Sequence, residues 1–200
     1  MMRVFRAEEN NRHYRRNKKF GMEALIDEQK AVNYFYHTPR KDMRLARNEK
    51  GVIWLRLERE IPKGGYKHPI EQSILTYSEP YESKQQFLDT NIILSLRKAL
   101  YKNIPGPAEG SYMEISYRLY EPKSKEITFR NQFAKEIRGL WRVKNGFMGG
   151  PFYALVTLNE EHQELVYSFG YVFAPQFNKR EYLRTVEGVV LSLNYTSDTE

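Results

Sequence analysis

The residue types that support chemistry are scattered through this chain. Its four histidines, His13, His37, His68 and His162, fall in unrelated segments. No two have the His-x-x-x-His or His-Glu-x-x-His spacing that sets paired imidazoles on one helix face. Cysteine is absent, which removes disulfides, thiolate metal sites and a thiol nucleophile together. No Gly-x-Ser-x-Gly elbow, phosphate loop or dinucleotide glycine fingerprint occurs, and each of these needs a strand running directly into a helix. Adjacent carboxylates such as Glu160 with Glu161, or Glu8 with Glu9, fall in a loop or an exposed helix, where each is solvated separately. The sequence therefore calls for no metal and no cofactor, and it gives an enzyme little support.

Two segments carry a more pointed signal. From Arg138 to Phe152, large apolar side chains sit among glycines, with Phe147 and Met148 at a predicted loop tip and Trp141 and Phe152 at its base. Aromatic residues, Met and Arg are enriched where interfaces bury their cores, so Arg138, Trp141, Arg142, Phe147, Met148 and Phe152 are the candidate partner-binding residues. The alternative is a loop that folds back and plugs one end of the sheet. Gly149-Gly150-Pro151 reads as a tight turn between strands, with φ > 0. A second glycine-rich loop, Ile104 to Met113, contains a stiff Pro105-Gly106-Pro107 bend. An enzyme acting on a polar envelope substrate would use a cleft near Arg138, Arg142 and Lys144 with a carboxylate such as Glu136.

The other segment is defined by charge. The 200 residues carry a net +7, and residues 1–50 hold 13 Lys+Arg against 7 Asp+Glu. Arg3, Arg6, Arg12, Arg15, Arg16, Lys18 and Lys19 alternate with Phe5, Tyr14 and Phe20, a mixture that grips phosphates and stacks on bases. Nucleic-acid binding through this arm is the alternative function. The plain reading is a solvated helix, because no wide apolar stripe forms at helical spacing.

The elements that must position these residues follow from periodicity. Val52 to Leu57 and Ile74 to Ser78 read as strands, the first region ending at Pro62-Lys63-Gly64-Gly65. Ser83 with Gln86 forms a capping box opening a helix whose stripe is Leu88, Ile92, Leu96 and Leu100. Met113 to Tyr120 alternates strictly, and Glu121 to Ser124 is the predicted turn into a hairpin partner around Ile127 and Phe129. Lys135 to Val143, Phe152 to Leu158 and Leu165 to Phe173 are further strands, the last with Leu165, Tyr167, Phe169, Tyr171 and Phe173 on a core face. Asn178 with Glu181 caps a final helix striped by Tyr182, Val186, Val189 and Leu193, and the tail from Asn194 frays.

Hairpin-joined strands are antiparallel neighbours, and amphipathic helices must cover apolar sheet faces. The expected fold is α+β: a mostly antiparallel sheet of six to eight strands packed by two long amphipathic helices, one on each face, plus an N-terminal basic helix. Residues 1–50 form the basic segment, a helix and then a poorly patterned stretch in which Ala31 to Tyr36 is a helix end or short strand; residues 51–200 form the single domain. With 40% apolar and 14% aromatic residues the chain folds without staples, and no apolar run approaches a membrane span.

These segments also resemble a family found in Bacteroidota, domain-of-unknown-function family 4837, whose members are mostly classed as lipoproteins. The resemblance runs from about Gly51 to Leu193. It rests on Val52-Ile53-Trp54-Leu55-Arg56, Leu75 to Tyr81, Ile104 to Pro107 with Gly110 to Met113, Arg138 to Trp141 with Phe147 to Phe152, and Tyr171 to Pro175 followed by Lys179 to Arg184. It implies a cell-envelope protein of unknown activity, periplasmic and lipid-anchored in full-length relatives, with no catalytic residues to carry over. Together with the Trp141 to Phe152 loop and the missing active-site signatures, it leads to the expectation of a non-catalytic domain that binds an envelope protein or component. The chain as written has neither a signal peptide nor a lipidated cysteine, which by itself reads as cytoplasmic.

Overall fold

The computed structural model describes residues 2–30, 33–38, 43–49 and 51–196. Among them are α1 (Met2–Phe20), α2 (Glu23–Gln29), β1 (Tyr34–Phe35), β2 (Arg44–Glu49), β3 (Val52–Lys63), β4 (Tyr66–Pro80), α3 (Asp89–Asn103) and β5 (Tyr112–Ser116). These are followed by β6 (Lys123–Phe129), β7 (Gln132–Lys144), β8 (Gly149–Asn159), β9 (Glu164–Phe173), α4 (Arg180–Val190) and β10 (Asn194–Tyr195). The main sheet is antiparallel with order β2-β3-β4-β9-β8-β7, and both β5 and β6 lie along the outer side of β7.

Both faces are apolar, so both are covered. Strand β8 turns Phe152, Ala154 and Val156 to one face, where Ile92, Leu96, Ala99 and Leu100 of α3 pack with Tyr167 and Phe169. It turns Tyr153 and Leu155 to the other, against Val186, Val189 and Val190 of α4. Helix α1 crosses the outer side of α4, with His13 against Gly188.

Several sequence expectations change. Gly64 and Gly65 have φ of 60° and 83°, the two-residue hairpin turn whose twist matches its strands. Strands β3 and β4 therefore run on to Lys63 and Tyr66, well past the expected ends. Pro62 and Pro69 are tolerated because they lie beyond the ends of β2 and β9, where no neighbour needs their missing N–H. Gln86 accepts from the N–H of Ser83 at 3.1 Å, but it closes a 3-10 turn at Lys84–Phe87; Leu88 is extended and α3 starts at Asp89. Asn178 accepts from the N–H of Arg180 at 3.0 Å, while Lys179 is the residue at the cap position of α4.

The larger correction concerns β5. Its alternation stops at Ser116, and β5 does not pair with β6. Ser116 pairs with Leu140 and Lys123 with Arg138, so Tyr117 to Pro122 leave the sheet opposite the single residue Gly139. A Cβ on Gly139 would lie 2.6 Å from the Phe152 ring and 3.3 Å from Pro122, so those two side chains fill the place over it.

The segment before Gly51 contributes to this core. Tyr34, Tyr36 and Met43 are buried in it, and β2 pairs with β3. The Tyr36 hydroxyl bonds Thr76 Oγ1 at 2.7 Å and Ser168 Oγ at 2.5 Å, satisfying a polar pair in mid-sheet. Ala31 and Val32 lie outside the described residues, and Tyr34–Phe35 is the short strand of that stretch. Of the tail expected to fray from Asn194, Asn194–Tyr195 form β10, paired with β1, and residues 197–200 lie outside the described residues.

Candidate functional site

The β7–β8 hairpin ends in a tip closed by the Val143 N–H donating to Met148 O at 2.8 Å, with Asn145 at φ 59°. Phe147 at this tip is 108% exposed. Met148 beside it packs partly into the core. At the base, Trp141 is 2% exposed and its Nε1 donates to Val172 O at 3.2 Å. That bond reaches across β8 at Gly150. A Cβ there would lie 1.9 Å from Val172 O and 3.2 Å from Trp141 Nε1. Gly149 and Gly150 are thus strand residues required for close approach, not a turn with positive φ.

A cleft of about 720 Å³ opens on one side of Trp141, on the sheet face where α3 ends. Its aromatic lining is Trp54, Trp141, Tyr171 and Phe173; the Ile104 to Pro107 bend and the projecting β3–β4 arm form its sides. The bend is held by Gly106 N–H donating to Ser111 O at 2.8 Å and Met113 N–H to Ile104 O at 3.0 Å. Tyr171 donates to Glu71 Oε1 at 2.8 Å, Ser73 Oγ donates to the same oxygen at 2.9 Å, and Arg56 lies 3.4 Å from it. The Arg56 guanidinium stands 4.6 Å from the Trp54 ring centre. Burial first, and the Glu71 charge second, hold the Tyr171 hydroxyl well above its ordinary pKa, so it is a fixed donor at neutral pH. The cleft offers apolar walls beside a charged edge of Glu58, Glu60, Glu71, Arg56 and Arg59, in which Arg56 pairs with both Glu58 and Glu71, an arrangement that suits binding.

On the other side of Trp141 a groove of about 540 Å³ separates Ser116 to Leu119 from Gly146 to Pro151. Arg118, Arg142 and Lys179 line it, with no acidic residue.

Of the six loop candidates, Trp141, Arg142, Phe147 and Met148 border this groove. Phe152 is 1% exposed and stacks on Phe169 at 4.8 Å. Arg138 faces the α4 side, bonded to Glu187 at 2.5 Å and lying 4.5 Å from the Tyr153 ring centre. Arg142 pairs with Glu114 at 2.5 Å. Arg138, Lys144 and Glu136 line neither the cleft nor the groove, so the arrangement imagined for an enzyme is not assembled there. In the basic arm, Arg12, Arg15, Arg16, Lys18 and Lys19 are exposed on α1; the side chains of Arg3 and Arg6 lie outside the described residues. Sequence reasoning missed Glu71, Arg118, Leu119 and Lys179, and it placed Tyr171 and Phe173 in the core row without seeing that the row runs into a cleft. Among the described residues no group of three or more His, Asp or Glu could hold a metal, and no helix is long and apolar enough to cross a membrane.

The family model described as Domain of unknown function (DUF4837) matches residues 28–192. The chain belongs to this family. No curated protein matches the sequence. The DUF4837 match begins inside α2, earlier than the quoted motifs, and it takes in every residue of the cleft and the groove while α1 precedes it.

Proposed function

We propose that this DUF4837 domain is a binding module of the cell envelope, capturing an envelope protein or component at the end of the sheet formed by the β7–β8 tip. The observation that supports the reading is Phe147, an aromatic side chain fully exposed on a hairpin braced by the Val143–Met148 bond and the buried Trp141. A solvent-exposed aromatic held on a stiff support loses little conformational freedom on binding, which is the economy of an interface anchor. The envelope setting rests on the family resemblance.

The test places a photocrosslinking phenylalanine analogue at position 147 in source cells, with position 94 on the exposed side of α3 as the control. A crosslinked product from 147 that is missing from 94 supports the reading. Equal products, or none, remove it.

A further inference from the structure

Resting on the reading that the β7–β8 end is the binding end, we propose that this end docks on a bilayer surface carrying anionic headgroups, with Phe147 and Leu119 as the inserted side chains. The two residues come from different loops. Phe147 is 108% exposed at the hairpin tip and Leu119 is 80% exposed in the excursion from β5, and both line one groove. Tyr117 and Tyr120, each about half exposed, flank Leu119 in the same excursion. Tyrosines suit the headgroup level of a membrane, beneath which apolar side chains insert.

Charge complementarity selects the partner. Arg118, Arg142 and Lys179 line the groove and no acid does. Arg142 is paired with Glu114, whereas Arg118 and Lys179 have no acidic partner among the described residues. Lys144 precedes the tip and Lys123 follows the excursion; Glu121 is the one acidic residue within it. Cations placed around protruding apolar side chains match an anionic lipid surface. Phe147, exposed on every side, stands free for acyl chains and headgroups to surround.

The test sediments the full chain with vesicles of phosphatidylcholine, alone and mixed with phosphatidylglycerol. We expect it to pellet only with the mixture, and less as salt is raised. Phe147→Ser with Leu119→Ser should weaken partitioning by about tenfold or more, with the thermal unfolding midpoint unchanged because both side chains are exposed. Arg118→Gln with Lys179→Gln should weaken it on the anionic vesicles as well. Absence of pelleting with phosphatidylglycerol overturns the proposal. So does pelleting that survives both double variants but is lost when Arg12, Arg15, Arg16, Lys18 and Lys19 of α1 are changed to Gln. If vesicle binding fails while position 147 still crosslinks to a protein, the bilayer is the wrong partner and the binding end stands; if both fail, both readings fall.

Discussion

Tyr171 on β9 donates to Glu71 on β4, although its register partner on that strand is Ser73. Tyr167 does the same in the opposite direction: it is paired with Tyr77 and donates to Glu79 at 2.6 Å. The aromatic row of β9 is thus anchored by a carboxylate near each end, one beside Ser95 of α3 and one in the open cleft.

The buried tyrosines of the core have a pH signature. Burial first of all raises the hydroxyl pKa of Tyr34, Tyr77 and Tyr171 in the folded protein, so above pH 10 the unfolded chain loses protons that the folded chain keeps. Stability present below pH 10 should then decline as pH rises, by about 1.4 kcal/mol per pH unit for each such tyrosine. Urea unfolding of Tyr171→Phe between neutral and alkaline pH should show a shallower decline than the unaltered protein. An identical slope would mean that Tyr171 titrates normally.

Gly150→Ala should destabilise by about 1–3 kcal/mol, since its Cβ would meet Val172 O and the Trp141 indole. Displacement of Trp141 would also change its fluorescence in the folded state. A variant with unaltered emission and unfolding midpoint would contradict the close approach.

The members of the candidate loop should separate by energetics. Phe147→Ser is expected to change unfolding free energy by less than about 0.5 kcal/mol, as a substitution on an exposed surface does. Trp141→Ala should cost about 3–5 kcal/mol, because the indole is buried in the core cluster. Chemical denaturation of the two variants side by side measures the difference.

Arg138→Ala is expected to behave as a structural lesion. Its guanidinium faces Glu187, which is 2% exposed, and removing it takes an ion pair and its hydrogen bond from a buried carboxylate. The cost should be about 3 kcal/mol. A stable variant that lost only binding would instead return Arg138 to the partner surface.

Tyr36→Phe tests the role of the segment before Gly51. It would strip the hydroxyl from the buried Thr76 and Ser168 pair, with an expected loss of about 1–3 kcal/mol in a urea melt. No loss would mean that these two hydroxyls are satisfied without Tyr36.

Elements whose evidence is local were legible in the residues alone. Alternation in Leu165 to Phe173 specified a strand with an aromatic core face, and the spacing of Ile92, Leu96 and Leu100 specified a helix. Strands apolar on both faces called for helices on both sides, and α3 and α4 are there. Tertiary structure decided what depends on pairing. Tyr117 and Leu119 keep the alternation of a strand, yet they face solvent because β7 passes from β5 to β6 across Gly139, whose place is filled by Phe152 and Pro122. Likewise Trp54, Glu71 and Tyr171 come from three strands far apart in sequence, and only the order β3-β4-β9 brings them to one cleft. Periodicity records which side of an element is apolar, whereas strand order and register choose the neighbours, and those neighbours separate buried Trp141 from exposed Phe147.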